Sequence, residues 1–263
     1  MAGEARTISV CLPARNEETT VGAVVAAVRE VPIVDEIVVL DDNSTDATAA
    51  AARDAGATVV AEADVLAEAG PGAGKGNVLW KALAACRGDV ICYVDADLRN
   101  FRGEYVERLC TPLLADDELM FVKAYYTRSF EGAPTGGGRV TELVARPLLS
   151  LLFPKLADIA QPLGGEYAGR RSALEALPYV QGWGVELGLL IDVAERFGRD
   201  AIGEVDLGMR EHRNRPLDEL GPQAEAIIAT ALQRAGFTDQ LGVPERPPMI
   251  TIPAYRARLD PPR

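Results

Sequence analysis

Two carboxylates follow an apolar run near residue 90, and their spacing suits metal chemistry. Residues 90–94 have the β-branched, apolar pattern of a buried strand that ends at Asp95 and Asp97. Side chains two apart on extended backbone point to the same side, so both carboxylates can converge on one point. Such oxygen ligands suit Mg²⁺ or Mn²⁺ that is also held by a substrate's phosphates. Taken alone, the pattern equally suits an Asp97 that only caps the next loop.

The elements that position these residues alternate between strand and helix in the first sixty residues. Strands are predicted at residues 7–12, 36–40 and 58–61, separated by helices. This alternation predicts parallel, right-handed βαβ units. Ligands of such sheets lie beyond the carboxyl ends of the strands. Three polar loops follow at those ends, namely residues 13–18, 41–46 and 95–97.

A glycine-rich segment, residues 70–77, precedes a helix predicted at residues 78–86. Glycines let backbone N–H groups approach a phosphate, and Lys75 adds positive charge, so we favour a diphosphate contact. Gly76 stands where a P-loop would have Ser or Thr, so the segment is not a P-loop. The alternative is a surface loop with a solvated lysine.

The second half offers a separate site for anions. A strand is predicted at residues 119–126, followed by a Gly/Pro-rich loop and then a helix with a kink at Pro147. Arg139 and Thr141 lie where this helix starts, and free N–H groups there favour an anion. A solvated Arg139 is the alternative.

Two further residues are ambiguous from the sequence alone. Glu186 opens a helix predicted at residues 185–197, where an acidic residue also matches the helix dipole. His212 is the only histidine and follows a strand predicted at residues 201–207, within a cationic run that either binds anions or is simply solvated. As a neutral imidazole, it could complete the metal coordination begun by Asp97.

Length, charge and cysteine usage limit the class of protein. The chain has 263 residues and a net charge of −12, which disfavours nucleic acid or an anionic membrane as a partner. No apolar run approaches the roughly 20 residues of a membrane span, and no signal peptide precedes the first strand. We expect a cytoplasmic protein with no stable membrane anchor. Four isolated cysteines are predicted to be reduced core residues, namely Cys11, Cys86, Cys92 and Cys110.

The C-terminal region contains one more helix and a proline-rich tail. The helix is predicted at residues 217–235 and ends before Gly236. Residues 244–263 hold six prolines and are predicted to be extended, without a core of their own. Ile250, Ile252 and Tyr255 are predicted to attach this tail to the body or to a partner subunit.

Taken together, these motifs resemble those of a known enzyme family. Residues 13–18, 41–46, 74–76 and 93–97 resemble the nucleotide-sugar half of a GT-A glycosyltransferase. Residues 138–143, 161–169, 182–186 and 210–216 are similar to glucosyl-3-phosphoglycerate synthases, a retaining, actinobacterial-type branch of that fold. The resemblance implies a GT-A-like, Rossmann-like α/β fold with a mostly parallel sheet flanked by helices. It also implies a nucleotide-sugar-binding half at 1–127, an acceptor-binding half at 128–236 and an extended tail at 237–263.

The resemblance implies transfer of glucose from UDP-glucose to the 2-hydroxyl of 3-phosphoglycerate, with retention, by a homodimer that uses Mg²⁺ or Mn²⁺. Metal ligands would be Asp97 and His212, and catalytic roles would fall to Asp97, Glu186, Leu163 and Arg210. Glu186 would bind sugar hydroxyls. Acceptor contacts would come from Gly138, Arg139, Thr141 and Asn214. Donor contacts, including uridine contacts from residues 13–17 and Ser44, would come from Pro13, Ala14, Arg15, Asn16, Glu17, Ser44, Lys75, Asp95, Ala96, Trp183 and Arg215.

Three other functions stay open at this point. Trp183 replaces a tyrosine of mycobacterial members, which leaves open a mannosyl-3-phosphoglycerate synthase using GDP-mannose. A polyprenyl-phosphate sugar transferase would share the first half, but it would not need the arginines at 139 and 210. A non-catalytic nucleotide-sugar sensor would not need the set Asp95, Asp97 and His212. The chain shows no convincing carboxylate nucleophile, so we expect front-face transfer within an ion pair.

Overall fold

The computed structural model describes residues 6–130, 133–136, 138–210, 219–237 and 242–259. Most of the described strands come from the first two thirds of the chain, where apolar runs rich in β-branched residues, such as residues 36–40, alternate with helical segments. In chain order the strands are β1 (Ile8–Ala14), β2 (Glu36–Asp41), β3 (Thr58–Ala61), β4 (Val90–Tyr93), β5 (Phe121–Phe130), β6 (Ala133–Gly136), β7 (Tyr167–Arg170), β8 (Tyr179–Val180), β9 (Ile202–Arg210) and β10 (Glu245–Arg246).

The helices alternate with these strands. In chain order they are α1 (Val21–Arg29), α2 (Thr48–Asp54), α3 (Gly74–Ala85), α4 (Glu104–Ala115), α5 (Arg146–Leu152), α6 (Arg171–Leu174), α7 (Val185–Phe197), α8 (Leu220–Arg234) and α9 (Pro253–Leu259). A π-helix, Thr141–Ala145, leads directly into α5. Short 3₁₀ turns include Gly182–Gly184 before α7 and Met249–Thr251 before α9.

One large sheet has the strand order β3-β2-β1-β4-β7-β5-β6, and β9 pairs with β5. Neighbouring strands from β3 to β4 are parallel, and β9 is parallel to β5. β7 is antiparallel to both β4 and β5, so it is inserted between two groups of strands that run in the same direction. The predicted α/β fold with a mostly parallel sheet is therefore confirmed.

Helices cover both faces of this sheet. One core includes residues of α1, α2 and α4, such as Val24 and Leu109, and the other includes residues of α3, α7 and α8, such as Trp80 and Leu190. Strand β1 contributes to both cores, because its alternate residues point to opposite faces. Ile8, Val10 and Leu12 face the first core and Cys11 the second. All four cysteines are free and buried, as predicted.

Two predicted boundaries shift in a way that moves a candidate site residue. Strand β1 runs to Ala14, so Pro13 and Ala14 lie on the strand and not in the loop after it. Helix α3 starts at Gly74 and not at Val78, which places Lys75 inside its first turn. Glycines lower helix propensity and hid this turn from the sequence pattern.

The kink predicted at Pro147 takes a different form. Pro147 is the second residue of α5 and lies inside the continuous helical segment that the π-helix and α5 form. The irregularity precedes it as the π-helix, whose wider turn can accommodate the proline ring. The helix predicted at residues 217–235 begins, in its described part, at Leu220.

The tail is not extended throughout, contrary to the prediction. It contains β10, which pairs with β8, and it ends in α9 within the described residues. Met249 and Tyr255 are buried in the core beside α3 and α7. Proline is disfavoured inside a helix but is well tolerated in its first turn, and α9 begins at Pro253. The predicted attachment through Tyr255 is confirmed. Among the described helices, none is long and apolar enough to cross a membrane.

Candidate active site

The loops after β1 and β2 are hydrogen-bonded to each other at the carboxyl edge of the sheet. The Asn16 backbone N–H donates to Ser44 Oγ at 3.1 Å, and Asn16 Oδ1 accepts from the Thr45 N–H at 2.8 Å. Asn16 has a left-handed backbone, with φ of 56°, which asparagine tolerates better than most residues. These loops, which the family resemblance assigns to the uridine, therefore form one continuous polar surface.

Negative charge accumulates where β1 and β4 end. Burial raises the pKa of the Glu17 carboxyl, and the nearby Asp97 carboxylate raises it further. Asp97 itself is exposed at this edge. Arg15 lies farther out, with its Nη1 3.6 Å from Asp42 Oδ2 and its side chain 66% exposed. The field at this edge therefore favours a bound cation.

Lys75 joins two carboxylates from opposite halves of the chain. Its Nζ lies 3.0 Å from Asp95 Oδ1 and 2.8 Å from Glu186 Oε1. Burial alone would lower the pKa of Lys75, but Asp95 and Glu186 outweigh it and hold the pKa above its ordinary value. We call this arrangement of Lys75, Asp95 and Glu186 the lysine bridge. It brings together the end of β4 and the first turns of α3 and α7.

Residues 161–166, the loop before β7, lie against the lysine bridge. A Cβ added at Gly165 would be 2.5 Å from Asp95 Oδ2 and 2.7 Å from Lys75 Nζ, so a larger residue here would displace the side chains of the lysine bridge. Leu163 in the same loop is half-buried and packs against the core that contains α3 and α7. The structure thus places Leu163 two residues from a direct contact with the bridge.

The start of α3 packs closely on the chain before α7. A Cβ at Gly76 would overlap the Val180 carbonyl oxygen, and one at Gly74 would be 2.6 Å from Gly182 Cα. The glycines beside Lys75 therefore have a packing role as well as the phosphate role that the sequence suggested. Trp183, 39% exposed, lies in the turn that Gly74 contacts.

Sequence reasoning missed a buried lysine below the bridge. Lys123 on β5 is fully buried and donates to the Gly164 carbonyl oxygen at 2.8 Å, with its ammonium 5.3 Å from the Tyr167 ring centroid. Burial lowers the pKa of Lys123 to about 8, although Glu186 and Glu166 oppose the shift. Lysine is rarely fully buried without a partner, so a lysine within the apolar run of a predicted strand could have identified Lys123 as a candidate functional residue.

We expect the buried Lys123 to make the free energy of unfolding depend on pH. The pKa of Lys123 is about 8 in the folded chain, against an ordinary 10.5. Between these values the unfolded chain binds more protons, so this contribution to the free energy of unfolding rises with pH, by up to about 1.4 kcal/mol per unit. Urea unfolding of wild type and Lys123→Met from pH 7 to 10.5 checks this. A difference between them that does not change with pH would contradict it.

The acceptor candidates lie around the π-helix. Thr141, its first residue, is 3% exposed, Arg139 is half-buried, and Gly138 has a left-handed φ of 76°. π-turns inside helices are frequent at functional sites. Arg146, which follows the π-helix, donates from Nη2 to the Ala160 carbonyl oxygen at 2.8 Å. This contact links the helix to the loop that reaches the lysine bridge.

Several predicted residues lie at or beyond the end of β9. Arg210 is the last residue of β9 and pairs in register with Arg128 of β5. His212, Asn214 and Arg215 lie outside the described residues. Their roles as metal, acceptor and donor ligands therefore stay predictions.

The donor set at this edge fits a hard divalent cation. Among the described residues, no three His, Cys, Asp or Glu side chains are arranged to hold a metal ion. Asp97 is the more exposed of the two carboxylates after β4, and Asp95 is engaged by Lys75, so Asp97 is the more accessible to an ion from solvent. A site that takes its remaining ligands from substrate phosphates and from the predicted His212 suits Mg²⁺ or Mn²⁺.

Comparison with known proteins defines the class first. The family model described as Glycosyl transferase family 2 matches residues 9–177, which run from β1 to the end of the turn after α6. This is more than half of the chain, and it includes the loops after β1 and β2, Lys75 and Asp95. The chain belongs to this family of glycosyltransferases.

Full-length relatives narrow the class. The glucosyl-3-phosphoglycerate synthase of Mycolicibacterium smegmatis is 46% identical, over 94% of this chain and 90% of its own length. The enzyme of the same name from Petrotoga mobilis is 43% identical, over 96% of this chain and 89% of its own. The Mycobacterium tuberculosis synthase crystallised with Mn²⁺, UDP-glucose and phosphoglyceric acid is 45% identical and superposes with a TM-score of 0.86, covering 93% of this chain and 90% of that one. Within its class the chain is thus one of the glucosyl-3-phosphoglycerate synthases.

Proposed function

We propose that this protein transfers glucose from UDP-glucose to the 2-hydroxyl of 3-phosphoglycerate. The observation that carries the proposal is the lysine bridge, which joins the nucleotide-sugar loops to the first turn of α7 at the carboxyl edge of the sheet. That edge is where ligands of such sheets bind. The similarity to synthases of this name over more than nine tenths of the chain supports the same conclusion.

The donor would lie across the loops after β1, β2 and β4. Residues 13–17 with Ser44 would bind the uridine, and Lys75 the diphosphate. To do so, the Lys75 ammonium would share its charge between Asp95, Glu186 and a phosphate oxygen. Glu186, with a side chain only 6% exposed, is then held in place to accept hydrogen bonds from glucose hydroxyls.

Asp97, with His212 as predicted, would hold Mg²⁺ or Mn²⁺ together with the diphosphate. When bound, the ion would stabilise the negative charge that develops on the leaving UDP. The relative from Mycobacterium tuberculosis was crystallised with Mn²⁺ and UDP-glucose, which supports this assignment. Arg210, at the end of β9, would add positive charge on the same leaving group.

Transfer would proceed on one face of the sugar. The bond from the anomeric carbon to the β-phosphate oxygen breaks, and a bond to the acceptor 2-hydroxyl oxygen forms on the same side. The hydroxyl proton passes to the departing phosphate oxygen, so no protein nucleophile is required. The loop with Leu163 and Gly165 would border the reacting carbon, because Gly165 lies against Asp95 and Lys75.

The acceptor would bind beside the π-helix, in the half of the chain after residue 127. We expect Arg139→Ala to raise the KM for 3-phosphoglycerate by roughly tenfold or more, because a charge-assisted contact to phosphate is lost. The KM for UDP-glucose should stay nearly unchanged, and Arg139→Lys should restore the acceptor KM only in part, since an ammonium cannot make a paired contact. Initial-rate kinetics with each substrate varied will test this. A raised KM for UDP-glucose with an unchanged acceptor KM would contradict our division of the chain into donor and acceptor halves.

A substrate panel tests the proposed function itself. UDP-glucose and GDP-mannose are each supplied with 3-phosphoglycerate or with a polyprenyl phosphate, and products are detected by mass. We expect product only with UDP-glucose and 3-phosphoglycerate. The relatives compared above are glucosyl-3-phosphoglycerate synthases, which supports glucose over mannose as the sugar and 3-phosphoglycerate over a polyprenyl phosphate as the acceptor. Product only with GDP-mannose or only with polyprenyl phosphate would replace the proposal.

A cytoplasmic, homodimeric enzyme is part of the same proposal. Four free, buried cysteines are typical of a reducing compartment and support the location. Leu143 and Leu151, on the π-helix and α5, are 75% and 79% exposed, and a second copy of the chain would cover such apolar side chains. Sedimentation at micromolar concentration will report whether the protein is a dimer.

A further inference from the structure

Arg246, in the proline-rich tail, reaches into the body of the protein. Arg246 is the second residue of β10, and it is only 6% exposed. The guanidinium donates to three acceptors, each at 2.8 Å, and lies 5.0 Å from the Trp80 ring centroid. The three acceptors are Asn77 Oδ1 and the carbonyl oxygens of Ala69 and Gly70.

These acceptors belong to the segment that carries Lys75. Ala69 ends a 3₁₀ turn, Gly70 begins the glycine-rich loop of residues 70–73 that leads into α3, and Asn77 lies in the first turn of α3. Arg246 therefore bonds to the chain on both sides of Lys75, which lies two residues before Asn77. A single guanidinium, whose donors have fixed geometry, sets the distance between the loop and the helix.

The loop has little support of its own. Residues 71–74 are exposed, whereas Arg246 below them is buried. A Cβ at Gly72 would overlap both Asn77 Oδ1 and Arg246 Nη2, so the loop closes directly over this contact. A further anchor is the Ala73 N–H, which donates to Gln181 Oε1 at 2.7 Å.

The tail around Arg246 is itself fixed to the same region. The Trp80 indole N–H donates to the Pro247 carbonyl oxygen at 2.9 Å, and the Gln181 N–H donates to the Pro244 carbonyl oxygen at 2.9 Å. Asn77 Nδ2 donates to Glu62 Oε1 at 2.7 Å, which orients the amide so that its oxygen faces Arg246. The tail, the loop and α3 thus form one hydrogen-bonded unit.

We propose that Arg246 is a positioning residue for the donor site, which fixes the glycine-rich loop and the first turn of α3 so that Lys75 meets the donor diphosphate. The inference rests on the proposed function, in which Lys75 binds that diphosphate. Arg246 does not touch the lysine bridge and acts only through the loop and Asn77. Ordering the loop before the donor arrives removes an entropic cost from binding.

The test compares variants that disturb the Arg246 contact with a variant that disturbs a different contact of the tail. Arg246→Met removes the three hydrogen bonds. Gly72→Ala disturbs the same contact from the loop side without replacing Arg246, because the added Cβ would overlap Asn77 Oδ1 and Arg246 Nη2. Tyr255→Phe is the matched control, because the Tyr255 hydroxyl attaches the tail elsewhere, accepting from Arg171 at 3.0 Å and donating to Glu175 at 2.8 Å. UDP binding by calorimetry, the KM of each substrate and the Tm are measured for each protein.

We expect Arg246→Met and Gly72→Ala to weaken UDP binding and raise the KM for UDP-glucose by about tenfold, the effect of one charge-assisted bond. The KM for 3-phosphoglycerate should change less than about twofold, and Arg246→Lys should show a smaller loss, since it keeps the charge but not the three bonds. Tyr255→Phe should lower the Tm and leave UDP binding unchanged.

Two results would overturn the inference, and they are distinguishable. Arg246→Met and Gly72→Ala proteins that bind UDP as wild type does, whatever their Tm, would show that Arg246 serves stability alone. If Arg246→Met does not fold, Gly72→Ala and Arg246→Lys decide the matter by the same UDP affinity. A wild-type protein that does not bind UDP would overturn the proposed function and this inference together.

Discussion

Replacing Asp97 by alanine should lower kcat by about a hundredfold or more, because the charge that develops on the leaving UDP loses its metal-mediated stabilisation. Asp97 is exposed at the carboxyl edge, where its charge raises the pKa of Glu17. Asp97→Asn removes the same charge with little change of shape and should behave alike. Assays with saturating UDP-glucose and 3-phosphoglycerate across a range of Mn²⁺ and Mg²⁺ concentrations will measure the loss.

The control for this prediction is Asp54→Asn. Asp54 is exposed at the end of α2, at the opposite edge of the sheet, so the variant loses one surface carboxylate without touching the site. It should keep wild-type kcat. Metal removal by EDTA should abolish wild-type activity. It should lower the residual activity of Asp97→Ala only slightly, because that variant has already lost the effect of the metal. Full activity in EDTA would refute the metal assignment.

Replacing Lys75 by alanine should weaken UDP binding by roughly 10- to 100-fold, which corresponds to about 1.5–3 kcal/mol for a hydrogen bond to a charged group. The variant also leaves Asp95 and Glu186 facing a donor phosphate with no cation between them, so repulsion adds to the lost contact. Calorimetric titration with UDP measures the effect directly, since it requires no acceptor.

Lys155→Ala is a control for Lys75→Ala. Lys155 lies in the 3₁₀ turn Pro154–Leu156 and is exposed. The variant removes the same kind of side chain and the same charge from a different element, so its UDP affinity should stay within about twofold of wild type. If Lys155→Ala weakens UDP binding as much as Lys75→Ala does, the specific contact between Lys75 and the donor is ruled out.

The carboxyl edge could be predicted because it depends on local patterns. Asn16, Ser44 and Asp95 each follow an apolar run of strand type, and parallel strands bring their ends to one edge. The observed contact between Asn16 and Ser44 fits that expectation. The resemblance to a family then supplied roles, which spacing alone does not assign.

The pairing of Lys75 with Glu186 could not be derived from local patterns. The two residues lie on different helices, 111 positions apart in the sequence, and Glu186 alone suggested only a match to the helix dipole. The glycines beside Lys75 suggested phosphate contact, yet Gly76 is also required by the Val180 carbonyl. Tertiary packing imposes such requirements, and a single sequence does not display them.

The tail shows the same limit more clearly. Its prolines predicted extended chain, but Arg246 stacks on Trp80 and Tyr255 enters the core. The attachment through Tyr255 could be expected from an apolar residue in the tail, but the contact of Arg246 forms with a residue far away in the sequence, so nothing near the C-terminus indicated Trp80 as its partner. Lys123 differs, because a lysine inside an apolar strand is unusual enough to have been recognised.

The most direct test of the central claim is the NMR spectrum of the product formed from UDP-glucose and 3-phosphoglycerate by the purified protein with Mn²⁺. We predict a single glucosyl-3-phosphoglycerate with an α-anomeric signal, since the donor is α-linked and transfer retains configuration, and with the new bond on the C2 oxygen. Released UDP should equal product. A β-anomer, a bond to another oxygen, or UDP release without a glycosylated acceptor would contradict the proposed reaction.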